Sequence, residues 1–163
     1  MSDAISKDAV VIERVFEAPI DLIWDMWTQA KHFKSWYGPT GFTIPVADMD
    51  VRVGGKRLIC MASPDGNMKM WLTGEYVEIS PKERLVYTES MADENGNVIS
   101  PTTMGMPDFP EVTEVIVQLE DMDGRTKMVM THAGVPADSP GAGGWGQAFD
   151  KLAEHIGAVL KDN

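Results

Sequence analysis

The C-terminal residues constrain the fold most, because their pattern predicts one long amphipathic helix. From residue 145 to 161 the apolar residues recur at helical spacing, at Trp145, Phe149, Leu152, Ile156 and Val159. This pattern covers about four and a half helical turns. A helix with one apolar stripe buries that stripe against another element. We therefore expect it to lie on a sheet formed by the preceding residues.

Most of the chain before this helix alternates with the period of two that is typical of β-strands. The alternation predicts a first strand over residues 10–17 and six antiparallel strands over residues 42–53, 56–63, 68–79, 84–91, 111–120 and 125–132. Turn residues such as Pro64-Asp65-Gly66-Asn67 separate consecutive strands. The pattern from residue 42 onwards therefore predicts a meander.

Two short helices are predicted between the first strand and the second. Pro19 suits the first turn of a helix, because proline lacks the N–H group that this turn leaves unpaired. Apolar residues at helical spacing continue this helix to about Thr28, at Ile20, Ile23, Trp24 and Trp27. A second stripe ends at Gly38-Pro39 and consists of Ala30, Phe33, Trp36 and Tyr37.

The order of these elements predicts an α+β fold in one domain over residues 1–163. A curved antiparallel sheet of about six to seven strands would surround the long C-terminal helix. Residues 93–110 are rich in Asn, Gly, Pro and Ser, and their length makes this predicted loop a candidate lid. The chain lacks an apolar run of the roughly 18 residues that a membrane span needs, and it lacks a signal-peptide pattern. We therefore expect a soluble, cytoplasmic protein.

Composition excludes several kinds of partner and cofactor. The chain has 14 Lys and Arg residues against 25 Asp and Glu residues, a formal net charge of −11. This charge disfavours nucleic acids and anionic membranes. The single cysteine, Cys60, cannot form an internal disulfide or a multi-thiolate zinc site. Because His32, His132 and His155 fall in three different elements, we expect no metal site, and no motif indicates a cofactor.

Three short motifs lack the context that their chemistry needs. Asp121-x-Asp123-Gly124 resembles the start of a calcium loop without its glutamate, so we interpret it as a hairpin turn. Residues 141–146 satisfy G-x-G-x-x-G, but no βαβ unit surrounds them, so we interpret them as a close-packed helix start. Cys60 and His132 could pair as nucleophile and base, although Cys60 stands in an apolar run where a thiol is usually buried.

Seven strings of residues between positions 14 and 88, together with the order of elements over nearly the whole chain, match the pattern of a known family. They are Arg14-Val-Phe-Glu-Ala-Pro19, Trp24-Asp-Met-Trp-Thr28, Trp36-Tyr-Gly-Pro39, Asp50-Val-Arg-Val-Gly-Gly55, Pro64-Asp-Gly66, residues 74–80 and Arg84-Leu-Val-Tyr-Thr88. The chain thereby resembles the Aha-like family, named for the activator of the ninety-kilodalton heat-shock-protein ATPase, in the START-like (SRPBCC) superfamily. The resemblance implies a helix-grip fold with a ligand cavity between the sheet and the C-terminal helix.

The same resemblance bears on function and partners. Members of the superfamily bind lipids, hormones and polyketides, and a minority catalyse reactions on such ligands, so the fold alone does not define one activity. The eukaryotic co-chaperone joins this kind of domain to a separate N-terminal domain, for which 163 residues leave no room. We therefore do not expect a chaperone partner. Related domains often pair, so a homodimer is an open alternative.

Strand alternation identifies the residues that would line such a cavity. They are Met128, Met130 and His132 on the last strand, Trp71, Tyr87 and Glu89 on the meander, and Phe149, Leu152 and Ile156 on the helix. Among apolar neighbours Glu89 must be paired or protonated, so it could anchor a polar ligand group. The alternatives are that Glu89 and Glu75 face solvent, and that His132 is a histidine satisfied within the fold.

We favour a small binding protein without catalytic activity that holds an apolar or amphipathic molecule in this cavity. Two other functions stay open. An enzyme of the same fold would use Glu89 or His132 as acid or base on a bound ring or carbonyl compound. An interaction module would bind another protein through an exposed apolar patch. If large side chains fill the cavity, the fold would persist without a ligand.

Overall fold

The computed structural model describes residues 9–103, 105, 110–135 and 140–161. Seven strands form in this part of the chain: β1 (Ala9–Phe16), β2 (Thr43–Met49), β3 (Lys56–Ala62), β4 (Lys69–Ser80), β5 (Arg84–Ala92), β6 (Thr113–Asp121) and β7 (Thr126–Ala133). The helices are α1 (Ile20–Thr28), α2 (Ala30–Phe33) and α3 (Pro140–Lys161). The predicted element order is confirmed.

The seven strands form one sheet in the order β1-β7-β6-β5-β4-β3-β2, and all neighbours are antiparallel. The strands from β2 to β7 form the predicted meander, while β1 pairs with β7 at the far edge. The chain therefore crosses from one edge of the sheet to the other between β1 and β2, and α1 and α2 lie on that crossing.

Helix α3 packs on one face of this sheet, which we call the inner face. The buried side chains of α3 join those of the sheet in a single apolar cluster, which includes Met128, Met130, Phe149, Leu152 and Ile156. Arg14 on β1 also holds the helix, since its Nη2 donates to the carboxylate of Asp150 at 2.8 Å. The curved antiparallel sheet around a C-terminal helix is the predicted helix-grip architecture. None of the described helices is long and apolar enough to span a membrane.

Several boundaries differ from the prediction, and two of them have clear physical reasons. Helix α3 begins at Pro140, before Trp145, because its glycine-rich first turns carry no apolar stripe that a pattern could detect. Strand β2 ends at Met49, because residues 50–55 form a turn with internal hydrogen bonds between Asp50, Arg52 and Gly55. Within β4, a register shift between Tyr76 and Glu78 places Ile79 against the core, although simple alternation from Trp71 would place it on the opposite face.

The predicted loop over residues 93–110 is described in part. The Asp93 carboxylate accepts hydrogen bonds from the backbone N–H groups of Asn95 at 2.9 Å and Asn97 at 3.0 Å, and Ala92 then bridges to Val98. This segment is therefore a compact turn. Residues 104 and 106–109 lie outside the described residues, so the role of this loop as a lid stays a prediction.

Candidate functional site

An arginine and a glutamate meet on the inner face of the sheet across a residue without a side chain. Arg57 on β3 pairs with Gly74 on β4, and the pairing of Thr73 with Ser90 places Gly74 beside Glu89 on β5. Because no side chain stands between them, Nη1 of Arg57 comes within 3.5 Å of Oε2 of Glu89. Only 1% of the Arg57 side chain and 10% of the Glu89 side chain are exposed.

Two tyrosine hydroxyl groups extend this ion pair. The Tyr37 hydroxyl lies 2.9 Å from Oε2 of Glu89 and 2.9 Å from the Tyr87 hydroxyl. A phenol has one hydrogen to donate, and a carboxylate is the stronger acceptor. Tyr37 therefore donates to Glu89 and accepts from Tyr87, which forms a chain of hydrogen bonds that ends on the carboxylate.

Polar contacts with helix α3 hold the backbone of Tyr37 in place. The ammonium group of Lys151 donates to the backbone carbonyl oxygens of Tyr37 at 3.3 Å and Pro39 at 3.0 Å. Nearby, Nδ1 of His32 on α2 and Nε2 of His155 on α3 are 3.0 Å apart and share a hydrogen bond. The segment that carries Tyr37 is thus fastened to α3 by polar contacts.

Aromatic rings surround the guanidinium group of Arg57. Its central carbon lies 3.7 Å from the ring centroid of Tyr87, 5.4 Å from that of Phe33 and 5.7 Å from that of Tyr76. The faces of these rings attract a cation, most strongly where water is excluded. We refer to Arg57, Glu89, Tyr37, Tyr76 and Tyr87 together as the polar cluster.

The polar cluster has hydrogen-bond donors that no described residue satisfies. Nε and Nη1 of Arg57 and the hydroxyl of Tyr76 are buried without a hydrogen-bond partner in the described part of the chain. The 3.5 Å contact of Nη1 with Glu89 is an ion contact, too long for a well-formed hydrogen bond. Buried polar groups in native proteins are nearly always paired with protein, water or a bound molecule. The site therefore has the capacity to hold a hydrogen-bond acceptor.

Both phenols of the hydrogen-bonded chain stay protonated in this environment. Burial, followed by the charge of Glu89, raises the pKa of Tyr37 well above its usual range. Burial also raises the pKa of Tyr87, although the nearby Arg57 charge opposes the change. Because neither hydroxyl ionises at physiological pH, Arg57 and Glu89 are the charged members of the cluster.

His132 is satisfied within the fold. Its Nδ1 lies 2.9 Å from the indole N–H of Trp145, which can only donate, so Nδ1 accepts. Its Nε2 lies 2.8 Å from the hydroxyl of Thr113, which donates to the backbone carbonyl of Glu89 at 3.0 Å and therefore accepts from Nε2–H. These contacts specify a neutral imidazole. Burial lowers the pKa of His132, and the charge of Glu89 opposes this shift only in part.

The lowered pKa of His132 predicts a loss of stability in weak acid. The unfolded chain takes up this proton near the ordinary pKa of 6.5, whereas the folded chain takes it up only at lower pH. The free energy of unfolding should therefore fall as the pH drops below 6.5. We expect His132→Gln, which removes the titration, to show a shallower fall between pH 6.5 and 5 in urea unfolding followed by tryptophan fluorescence.

His155 provides the control for this experiment, since burial and the neighbouring His32 lower its pKa as well. Its environment is more exposed than that of His132, so His155→Gln should reduce the slope less. Equal slopes in the wild type and His132→Gln would contradict the buried neutral imidazole.

The structure brings most of the predicted site residues together. Met128, Met130, Phe149, Leu152 and Ile156 meet in the core, Tyr87 and Glu89 belong to the polar cluster, and His132 adjoins it through Thr113. Trp71 does not join them, because it lies on the outer face of the sheet, where it pairs with Cys60 and Ala92.

The sequence analysis missed Arg57, Tyr37 and Tyr76. Arg57 follows Lys56 and resembles an ordinary solvent-exposed charge in the printed sequence. Its position two residues before Ile59, which is buried on the inner face, is the signal that could have identified it.

Side chains fill the space between the sheet and α3. Met128, Met130, Phe149 and Leu152 are all fully buried there. An open groove of about 590 Å³ lies on the outer face of the sheet, lined by Lys56, Leu58, Thr73, Glu75, Ser90 and Val98 among others. Any molecule between the sheet and α3 therefore has to displace side chains.

Cys60 and His132 do not form a nucleophilic pair, and the described residues do not assemble a metal centre. Cys60 lies on the outer face of β3, whereas His132 lies on the inner face of β7 with three strands between them. Burial raises the pKa of the Cys60 thiol, which disfavours the reactive thiolate. In the part of the chain that is described, His, Cys, Asp and Glu residues form no group of three that could hold a metal ion.

A seven-stranded antiparallel sheet that closes on a long C-terminal helix defines the helix-grip, or START-like, class of proteins. Within this class, the family model described as "Activator of Hsp90 ATPase homolog 1-like protein" matches residues 17–157, and the chain belongs to this family. The resemblance noted in the sequence is thereby confirmed. No curated protein matches the chain significantly.

Solved structures share the fold at low sequence identity. A protein from Arthrobacter aurescens is 21% identical with a TM-score of 0.78, over 94% of this chain and 88% of that chain. A protein from Chromobacterium violaceum is 23% identical with a TM-score of 0.74, over 90% and 95%. The AHSA1 protein from Silicibacter pomeroyi is 18% identical with a TM-score of 0.73, over 93% and 99%. These similarities support the fold alone.

Proposed function

We propose that the protein binds a small amphipathic molecule between its sheet and α3, with the polar end of that molecule at the polar cluster. The observation that carries this proposal is the buried guanidinium group of Arg57, whose Nε and Nη1 have no acceptor among the described residues. A bound molecule that accepts a hydrogen bond would satisfy one of them. Glu89, with a tenth of its side chain exposed, marks where the cluster comes nearest the surface.

The surroundings of the cluster suit the apolar part of such a molecule. Met128 and Met130 are buried beside α3, and the thioether side chain of methionine changes shape more easily than branched side chains. A ligand that displaced them would gain about 2.5 kcal/mol for every 100 Å² of its apolar surface removed from water. Part of that gain would offset the cost of moving the side chains.

A purely structural role explains the ion pair less well. Replacing a buried ion pair with well-packed apolar residues often leaves stability unchanged or increases it. A pair whose donors are not all satisfied is a still weaker contribution to stability. Recognition of a polar ligand group would explain why Arg57 and Glu89 are buried together, which a contribution to stability does not explain.

The test is binding of candidate molecules to the purified protein. We expect native mass spectrometry to show a co-purified mass, or thermal unfolding to show a shift that grows with ligand concentration. A suitable panel contains fatty acids, sterols, flavonoids, aromatic acids and aromatic ketones. A bare mass together with no shift across the panel would overturn the proposal.

The chain offers a matched control for the role of the cluster. Lys56 and Glu75 form an exposed ion contact of 3.9 Å on the outer face of β3 and β4, next to Arg57 and Gly74. We expect the double variant Arg57→Met/Glu89→Leu to weaken binding of the molecule found. The double variant Lys56→Met/Glu75→Leu removes the same charges from the other face and should bind as the wild type does.

A further inference from the structure

We infer that the polar end of the ligand is an uncharged hydrogen-bond acceptor, such as the carbonyl oxygen of a ketone, ester or amide, carried on a planar ring system. This inference rests on the proposed function and adds the chemical class of the ligand. It depends on the hydrogen bonds, the charges and the ring surfaces of the polar cluster.

The unsatisfied groups of the cluster are donors. The Nε and Nη1 atoms of Arg57 can donate hydrogen bonds but cannot accept them. The hydrogens of Tyr37 and Tyr87 are already committed to Glu89 and Tyr37, and the free hydroxyl of Tyr76 can also donate. The ligand must therefore bring an acceptor, such as a carbonyl oxygen, for one of the two Arg57 donors.

The charges of the cluster are already balanced. The positive charge of Arg57 is opposed by the carboxylate of Glu89 at 3.5 Å, while His132 is held neutral by its two hydrogen bonds. A ligand carboxylate would add a second negative charge beside Glu89 in a site that excludes water, which is unfavourable. An ammonium group would be repelled by Arg57 and would bring donors where an acceptor is needed.

The surface around the donors is aromatic. The rings of Phe33, Tyr76 and Tyr87 all lie within 6 Å of the guanidinium carbon, and the ring of Tyr37 is 4.1 Å from that of Phe33. Flat rings pack well against such a surface in offset or edge-to-face arrangements. A rigid planar ligand also loses less conformational freedom on binding than a flexible chain does.

Three naphthalenes of nearly equal size distinguish the classes of polar end. 2-Acetylnaphthalene carries a neutral acceptor, 2-ethylnaphthalene carries none, and 2-naphthoate carries a charged one. We expect the wild type to bind the ketone about tenfold more tightly than the hydrocarbon, as for one hydrogen bond to a charged donor. The carboxylate should also bind at least tenfold more weakly than the ketone. Quenching of tryptophan fluorescence measures all three affinities.

Variants attribute the preference to the cluster. In Arg57→Met/Glu89→Leu the ketone and the hydrocarbon should bind within about twofold of each other, because the charged donor is gone. In Lys56→Met/Glu75→Leu the tenfold preference should persist, since that pair lies on the outer face. If the first variant does not fold, the infrared carbonyl stretch of the ketone bound to the wild type tests for the hydrogen bond instead. A hydrogen bond moves that band to lower frequency than in an alkane solvent.

The outcomes separate this inference from the proposed function. Equal or tighter binding of the carboxylate, equal binding of the hydrocarbon, or an unshifted carbonyl band would overturn the inference while binding itself stood. If none of the naphthalenes binds and the only molecules of the wider panel that bind are fatty acids or aromatic acids, the inference is likewise overturned and the proposed function stands. Binding of a flavonoid or another aromatic ketone of the panel would support the inference. If the whole panel fails, both are overturned.

Discussion

Replacing Glu89 with leucine is expected to lower the free energy of unfolding by about 3–5 kcal/mol, because it leaves a buried guanidinium group without its counter-charge. Arg57 is 1% exposed, so water cannot easily take the place of the carboxylate. The substitution also removes the acceptor of the Tyr37 hydroxyl. Urea unfolding at neutral pH, followed by tryptophan fluorescence, measures the change.

Removing both charges together should be much less harmful. We expect Arg57→Met/Glu89→Leu to recover most of the stability that Glu89→Leu loses, since no uncompensated charge remains in the core. The exposed pair gives the comparison: Glu75→Leu, which removes the partner of Lys56, should change stability by less than about 1 kcal/mol. A loss no greater for Glu89→Leu than for Glu75→Leu would contradict the burial of the polar cluster.

The fold could be predicted from the sequence because each element has its own local pattern. Alternating apolar residues define the strands, and the stripe from Trp145 to Val159 defines α3. The Asp123-Gly124 pair is itself a sequence signal for a hairpin turn. In the structure both residues adopt the positive φ angles that such a turn needs, 59° and 93°. Short turns then determine the pairing of β2 to β5 and of β6 with β7, whereas the long connection between β5 and β6 leaves their pairing to the packing of the sheet.

The polar cluster could be predicted only in part, because it depends on which residues lie side by side across strands. Glu89 could be identified from its own strand, where it alternates with Tyr87 and Leu85. Arg57 has only a weak signal of this kind, its position two residues before Ile59, because its burial depends on Gly74 opposite it and on Glu89 one strand further. Tyr37 reaches the carboxylate from the crossing between β1 and β2, and no periodic pattern gives the path of such a segment. Trp71 shows the reverse error, because its position on a central strand predicts the cavity wall, whereas its register with Cys60 and Ala92 places it on the outer face.

The same register makes Gly74 the residue at which a single added methyl group should do most damage. A Cβ atom at Gly74 would lie 1.9 Å from the backbone carbonyl oxygen of Thr88 on β5, a distance that real atoms do not adopt. The contact is with backbone, so no side-chain rotation can relieve it. Gly74→Ala should therefore push β4 and β5 apart at the point where Arg57 and Glu89 meet.

We expect Gly74→Ala to lower the free energy of unfolding by about 3 kcal/mol or more, in line with severe overpacking of a core. Gly157→Ala on α3 is the control, because a Cβ atom there meets nothing within 4 Å. Alanine favours a helix over glycine by up to about 1 kcal/mol, so this variant should be slightly more stable than the wild type. Urea unfolding of both variants compares the same chemical change in two surroundings. If Gly74→Ala unfolds at the wild-type urea concentration, then β4 and β5 do not approach as closely as described, and Arg57 and Glu89 need not meet across Gly74.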